Sequence, residues 1–337
     1  MEYEIGVSIS CTVFNHSKYL RECLDGFVNQ KTNFKYEVLI HDDASTDDSQ
    51  AIIQEYEEKY PDIIKPIYQT ENQWSKKVKL NKMYQMPRVR GKYLAVCEGD
   101  DFWCDENKLQ RQYDIMEANP NCHLCLHAVQ TVNEDSSLAD IVIPAFKFET
   151  GIIERNDFVK LAIAKEAPFQ TTSYFRRTKD VMEYVYNPPK FEEVVDVGDV
   201  PILLYFGSLG DVYYDANIYS CYRRMSAGGW TETISKDKNK VYKHYLSMIE
   251  MYRAFNDFTS QEFNQEINEA IRRCEMVNKT MFLTPKEKAK LLLKRENAWY
   301  RDAIGKKKAW FYILDAYVPF VKKWYFSIKR SIKKVMR

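Results

Sequence analysis

Along the first 120 residues, short apolar runs alternate with amphipathic stretches at nearly regular spacing. Residues 7–11, Val-Ser-Ile-Ser-Cys, form a β-rich run, and Asn15-His16-Ser17 follows as a polar turn. Tyr19, Leu20, Cys23, Leu24, Phe27 and Val28 then recur at helical spacing, with Ser17 placed to cap that helix. A second strand at residues 36–40 runs directly into His41-Asp42-Asp43-Ala-Ser-Thr-Asp-Asp48, which opens a helix from about 47 to 60, stopped by Pro61. Residues 63–68 predict a third strand. Residues 91–97 predict a fourth, ending in Glu98-Gly99-Asp100-Asp101, after which Asp105 caps a helix reaching Asn119. Strand–turn–helix units of this length predict an α/β fold: a mostly parallel sheet with helices on both faces. Ligands of such sheets bind beyond the carboxyl ends of the strands, and both acidic runs fall there.

After Cys122 the pattern loosens. Strands are expected at 124–132, 141–148 and 170–175, with a helix near 156–164. A loop opened by Asn187-Pro-Pro leads to Val197-Gly-Asp199, where a helix starts and runs to about 206, followed by a strand at 213–222. From residue 240 the chain reads as helical, with a break at Thr284-Pro285 and a last amphipathic stretch after Lys308. Cys122 and Cys125 with His127 look like half a zinc site, but no second pair follows at a suitable spacing. An alternating strand accounts for them more simply.

Charge changes this picture in one place. The 337 residues carry 49 Lys+Arg against 48 Asp+Glu, so the formal charge of +1 gives no global reason to bind nucleic acid. Residues 305–337, however, hold ten basic residues and one acid, Asp315, which leaves the rest of the chain acidic. Trp310, Phe311, Ile313, Leu314, Tyr317, Phe320 and Val321 form an apolar stripe there, followed by Trp324, Tyr325 and Phe326 among lysines. Two readings stay open: a contact with an anionic membrane surface, or a helix packed on the body. The acidic N-terminus reads as no signal peptide, and no apolar run approaches the roughly 18–20 residues needed to span a bilayer. The eight cysteines are therefore expected as thiols in a cytoplasmic protein.

A close set of carboxylates after a buried strand is unfavourable unless a cation neutralises it. Hard oxygen ligands suit Mg²⁺ or Mn²⁺, commonly held by one or two carboxylates together with substrate phosphates. Gly99 would let the backbone approach such a ligand closely. Each acidic turn also has a plain reading as a helix cap. Two of them at neighbouring strand ends favour a shared site.

Three segments carry a resemblance: Val7-Ser-Ile-Ser-Cys-Thr-Val-Phe-Asn15, Ile40-His-Asp-Asp-Ala-Ser-Thr-Asp-Asp48 and Glu98-Gly-Asp-Asp-Phe-Trp103. In this order, over about the first 130 residues, they resemble the opening, the nucleotide-binding turn and the DxD region of family 2 glycosyltransferases. The resemblance implies a GT-A fold, a nucleotide-diphosphate sugar donor (a UDP-sugar as first choice), Mn²⁺ or Mg²⁺, and inversion at the anomeric carbon. By the same resemblance, Thr12, Val13 and Phe14 line the nucleoside pocket, and Asp42 contacts the base with Asp43 beside it. Asp100 is the first metal ligand and Asp101 the second, while Glu98 stands where the motif has its first aspartate. Val197-Gly-Asp199-Val-Pro-Ile-Leu-Leu resembles the segment carrying the catalytic base, which makes Asp199 the base and Asp196 the next choice. A plain helix start, with Pro201 two residues on, is the other reading of Asp199. Two readings of the loop after the last strand stay open: Arg223, Arg224 or Lys236 meets the diphosphate, or the loop is simply charged and solvated.

The processive members of that family carry membrane-spanning helices and a Gln-x-x-Arg-Trp motif. This chain has neither, so the resemblance implies addition of a single sugar, to a saccharide acceptor that is expected to be lipid-linked at the inner face of a bacterial membrane. The expected division is a catalytic domain at 1–230 (donor half to about 120, acceptor half after it), a helical extension at 231–304 and the basic tail. Two rivals are a non-catalytic nucleotide-sugar-binding protein on the same fold and a nucleotidyltransferase. The second would carry a Gly-rich phosphate loop, and residues 11–17 contain neither glycine nor lysine.

Overall fold

The computed structural model describes residues 4–146, 148–165, 168–195, 197–224 and 237–317. The described residues form one ten-stranded sheet. Its first half is β1 (Ile5–Val13), β2 (Tyr36–Asp42), β3 (Ile64–Tyr68) and β4 (Gly91–Val96). Next along the chain come β5 (Phe102–Trp103), β6 (Cys122–Val132), β7 (Leu138–Ile143), β8 (Gly151–Ile153), β9 (Phe175–Arg177) and β10 (Asp211–Arg223). The spatial order is β3-β2-β1-β4-β9-β6-β10-β5, with β7 on β6 and β8 on β10. The pairs β2/β3, β1/β2, β1/β4 and β6/β10 are parallel. The short β9 joins the two halves, antiparallel to both β4 and β6.

β1 and β2 have helices over both faces, so nearly every residue is buried, the serines Ser8 and Ser10 included. α1 (Ser17–Val28), α2 (Ser49–Lys59) and α3 (Lys108–Ala118) all cover the face of Val7, Ile9 and Cys11, while the helical turns at 81–88 lie on the other, Tyr84 against His41. α1 turns Leu20, Cys23, Leu24 and Phe27 inward, the 3.6-residue stripe expected from sequence. The second half carries α4 (Arg155–Lys165), α5 (Thr178–Tyr186), α6 (Lys190–Glu193) and α7 (Asp199–Leu209). Beyond it lie α8 (Lys238–Phe258), α9 (Asn264–Met281), α10 (Pro285–Leu293), α11 (Ala298–Ala303) and α12 (Lys306–Tyr317). Met248, Tyr252 and Phe255 of α8 share one apolar core with Phe158, Leu203, Phe206 and Val212, so α8 is built into the second half of the sheet. α10 to α12 close a smaller core around Leu292, Tyr300 and Ile313. Thr284 and Glu287 cap each other at the start of α10, where the Thr-Pro break was expected.

Two expected strands are displaced. Pairing at 141–148 ends earlier, because β7 folds back on β6 from Leu138 and leaves it after Ile143. The polar run Gln170-Thr-Thr-Ser makes a 3₁₀ turn at Thr171–Ser173, and only Phe175–Arg177 joins the sheet. Local hydroxyl-to-backbone bonding, such as Ser173 Oγ to Gln170 O at 2.6 Å, competes with the ladder there.

Candidate active site

Strand register gathers the sequence-predicted residues on one rim. Val13 of β1 stands opposite Asp42 of β2, and Ser10 stands opposite Val96 of β4, so all three strands end together. The Gly99 amide donates to Thr12 O at 3.0 Å, laying the acidic turn against the end of β1. A Cβ on residue 99 would come within 2.8 Å of His16 Nδ1 and 2.9 Å of Val13 Cγ2. Gly99 is thus required by the protein's own packing, which corrects the expectation that it makes room for a ligand. Thr12 is half-buried and Phe14 is 44% exposed, whereas the Val13 side chain belongs to the core.

The turns after β1 and β2 are laced together. Asn15, at φ +57°, donates its amide to Ser45 Oγ and receives the Thr46 amide on Oδ1 at 2.7 Å. His16 N donates to Ser49 Oγ, and Ser17 N donates to Asp47 Oδ2 at 2.9 Å. Ser17 is therefore the first residue of α1 and not its cap; Asp47 caps the helix from the neighbouring turn. Burial alone would raise Asp47, but hydrogen bonds from Ser49 and Ser17 outweigh it and hold the carboxyl at about 2. Asp42 is fully buried: Oδ2 accepts from Ser45 N and from Gln50 Nε2 at 2.6 Å, while Oδ1 has no partner. Asp43 differs, because both its oxygens receive backbone amides, from Gln73 at 2.8 Å and Trp74 at 3.0 Å. It organises the loop after β3.

Around the turn after β4, four acids crowd together. Glu98 is half-buried, Asp100 partly exposed and Asp101 buried, and α7 brings Asp199 to the same place. Burial, then the charges of Asp100 and Asp199, push the Glu98 carboxyl up to about 7, against a lowering hydrogen bond from Thr171 Oγ1 at 3.1 Å. Burial and the Asp100 charge also raise Asp101, whose Oδ1 accepts the Arg223 amide at 2.9 Å. Asp199 is raised by burial; its Oδ1 accepts the Val200 amide at 2.9 Å, and the charge of His244 on α8 works the other way. Among the described residues no lysine or arginine side chain pairs with Glu98, Asp100 or Asp199, and Asp100 makes no side-chain hydrogen bond. Asp196 lies outside the described residues.

The donor set is hard carboxylate oxygen, crowded and without a counter-charge, which suits Mg²⁺ or Mn²⁺. No group of three His, Cys, Asp or Glu among the described residues is close enough to cage an ion alone. One or two carboxylates would leave the remaining positions to phosphate oxygens and water. Arg223 corrects an expectation: it is 1% exposed and turned into the protein, so it does not reach a diphosphate. Arg224 is exposed, and Lys236 lies outside the described residues. Three neighbours escaped the sequence reading: Thr171 on Glu98, Tyr174, whose hydroxyl is raised by burial and by Asp199 and Glu98, and Tyr222, whose hydroxyl is raised by burial and by Asp101, Asp100 and Glu98. A polar Thr-Thr-Ser run was the one local hint, for Thr171.

The sequence model of glycosyl transferase family 2 matches residues 8–177, half of the chain, which takes in the ends of β1, β2 and β4 and the acidic turn but not Asp199 or the end of β10. The chain belongs to glycosyl transferase family 2. An uncharacterized protein of Mycobacterium tuberculosis is 41% identical over 131 residues, 39% of this chain and 37% of that protein. The poly(ribitol-phosphate) beta-glucosyltransferase of Bacillus spizizenii is 24% identical over 232 residues, 61% of this chain and 36% of that protein. The chain thus spans little more than a third of the length of these curated relatives. The crystal structure of S. aureus TarS 1–349 is similar in fold, with a TM-score of 0.57 at 15% identity, over 93% of this chain and 81% of that one. The fold of this family 2 chain is GT-A, as its opening motifs implied.

Proposed function

We propose that the chain is an inverting glycosyltransferase that moves one sugar from a nucleotide-diphosphate donor, a UDP-sugar, to a saccharide acceptor. The observation that carries this reading is the crowded carboxylate group at the carboxyl rim of a family 2 fold, with no lysine or arginine partner for Glu98, Asp100 or Asp199 among the described residues. Asp42 keeps one buried oxygen without a partner, suited to accept from a base N–H, with Asp43 holding the loop beside it, Thr12 and Phe14 forming the facing wall, and Val13 contributing its backbone alone. Asp100 would hold Mn²⁺ or Mg²⁺, with Asp101 second and Glu98 beside the donor ribose or phosphate. When bound, the ion stabilises the charge developing on the departing nucleoside diphosphate. Asp199, raised by burial, takes the proton of the acceptor hydroxyl, with Asp196 as the alternative.

Similar proteins suggest the biological setting: a poly(ribitol-phosphate) beta-glucosyltransferase, and TarS solved in complex with UDP-GlcNAc. They support a role in bacterial surface polysaccharide assembly. In this reading the acceptor is lipid-linked, residues 1–230 are the catalytic domain and 231–304 a helical extension, whose first helix α8 packs into the second half of the sheet. We place the protein in the cytoplasm, on the inner membrane face. No helix among the described residues is long and apolar enough to cross a membrane. α12 buries Ala309, Ile313 and Ala316 and leaves Trp310, Leu314 and Tyr317 exposed beside Lys306 to Lys308, which supports contact of residues 305–337 with an anionic surface. Deleting 305–337 should abolish co-sedimentation with phosphatidylglycerol vesicles; unchanged sedimentation removes the tail from the reading.

The decisive test is a screen of nucleotide-sugar donors for hydrolysis with and without Mn²⁺, comparing wild type with Asp100→Ala. One donor should be turned over with Mn²⁺, with a loss of about a hundredfold or more in the variant. Equal hydrolysis by both proteins would remove the metal assignment.

A further inference from the structure

Arg223 ends β10 as the largest fully buried side chain of the molecule, and the reading above gives it no task. An arginine is rarely buried unless its donors are matched. Here the matching is specific. Nε donates to the backbone carbonyl of Asp100 at 2.9 Å, while the backbone amide of the same residue donates to Asp101 Oδ1. Nη1 reaches the carbonyls of Asn133 and Glu134 and Ser136 Oγ, at 3.0 to 3.2 Å. Nη2 donates to Glu22 Oε2 at 2.9 Å, and the guanidinium lies 4.3 Å from the Tyr19 ring centroid. Its one ionic partner, Glu22, is 38% exposed, so an ion pair explains little of this burial.

We propose that Arg223 is the positioning residue of the acidic turn: by gripping the Asp100 carbonyl and the Asp101 carboxylate together, it sets where the Asp100 side chain points. The inference rests on the assignment of Asp100 as a metal ligand. The turn is fixed at one end by Gly99 N on Thr12 O and at the other by β5, paired antiparallel with β10 at Cys221 and Ser220. Between these anchors the Asp101 amide donates to Glu98 O at 3.1 Å, and among the described side chains Arg223 alone reaches the Asp100–Asp101 step from another element. Its side chain is buried and grips the turn by the Asp100 carbonyl, so among the described residues the Asp100 carboxylate keeps no protein partner. A planar fork with donors in three directions is needed, which lysine lacks.

Calorimetric titration of UDP into the full-length protein, once with excess Mn²⁺ and once with EDTA, tests this apart from turnover. Arg223→Lys should weaken UDP binding with Mn²⁺ by about 10- to 100-fold. It should leave binding in EDTA unchanged, because the nucleoside contacts sit on β1 and β2. A purely structural arginine would lower the melting temperature and leave the ratio of the two constants as in wild type, and that result overturns the proposal. Should Arg223→Lys fail to fold, the double variant Glu22→Gln, Ser136→Ala removes two anchors and keeps the arginine; it should lower the Mn²⁺-dependent constant by about 3- to 10-fold. An unchanged constant there also overturns the proposal. Wild type that binds UDP equally with Mn²⁺ and EDTA would instead defeat the metal assignment itself.

Discussion

At the amino end of β2, Glu37 is 1% exposed and both its oxygens are occupied. Oε1 accepts from Ser8 Oγ at 2.7 Å and from Arg90 N at 3.0 Å, and Oε2 accepts from Arg90 Nε at 2.8 Å. At the carboxyl end of β4, Glu98 is more exposed, yet it receives one hydroxyl and faces Asp100 and Asp199. One sheet thus buries acids in two ways. Glu37 is matched by a guanidinium and Asp43 by backbone amides, whereas among the described residues no lysine or arginine side chain pairs with the carboxylates of Glu98, Asp100 or Asp199. Asp101 stands between the two cases, buried in the group and yet tied to the end of β10.

The comparison breaks most visibly at the base. Asp199→Ala should lower transfer to acceptor by about 10²- to 10⁴-fold while UDP binding stays within about twofold, read by product formation and by calorimetry. Full transfer activity in this variant would move the base elsewhere. The same substitution at the two ends of the sheet should then have opposite signs. Glu37→Gln is expected to destabilise by about 2 kcal/mol, since it leaves the Arg90 guanidinium facing a neutral amide, with donor KM unchanged. Glu98→Gln should stabilise the metal-free protein by about 1 kcal/mol after allowance for its partial exposure, because it removes one of the crowded charges. Chemical denaturation of both variants without metal gives the two signs.

A third kind of buried charge sharpens the contrast. Lys108 is fully buried; its Nζ donates to Gln112 Oε1 at 2.6 Å and lies 4.0 Å from the Trp103 ring centroid, with no acid beside it, and burial pulls it down to about 7. The folded protein therefore holds this proton more weakly than the unfolded chain does. The resulting penalty on folding grows as pH falls from about 10.5 to about 7 and is complete below that. Lys108→Met should be more stable than wild type, with the gain larger at pH 6 than at pH 9 by about 2 kcal/mol, measured by denaturation at both values. A gain independent of pH would mean that the lysine is charged throughout.

Much of the rim was legible because its cause is local. Apolar runs with β-rich residues placed β4 to within one residue and β1 and β2 to within two at each end, and acids immediately after such runs must sit at strand ends. Distance in sequence marks what stayed hidden. Arg223 meets Asp101 across 122 residues and Thr171 meets Glu98 across 73, and no periodicity encodes such meetings. Ser17 has the right chemistry for a cap, yet Asp47 in a neighbouring turn does that work. β5 and β9, of two and three residues, are too short to leave a pattern, though each fixes a neighbour of the acidic turn.

The mutual bracing of Asn15 and Asp47 bears on how a ligand is met. Five hydrogen bonds tie the turn after β1 to the turn after β2 before any guest arrives. Docking at that corner asks for no reordering of the backbone, so little of the entropic penalty of association falls on it. Discrimination among guests then rests on fixed shape rather than on adaptation, and liganded and ligand-free crystals should superpose at this corner.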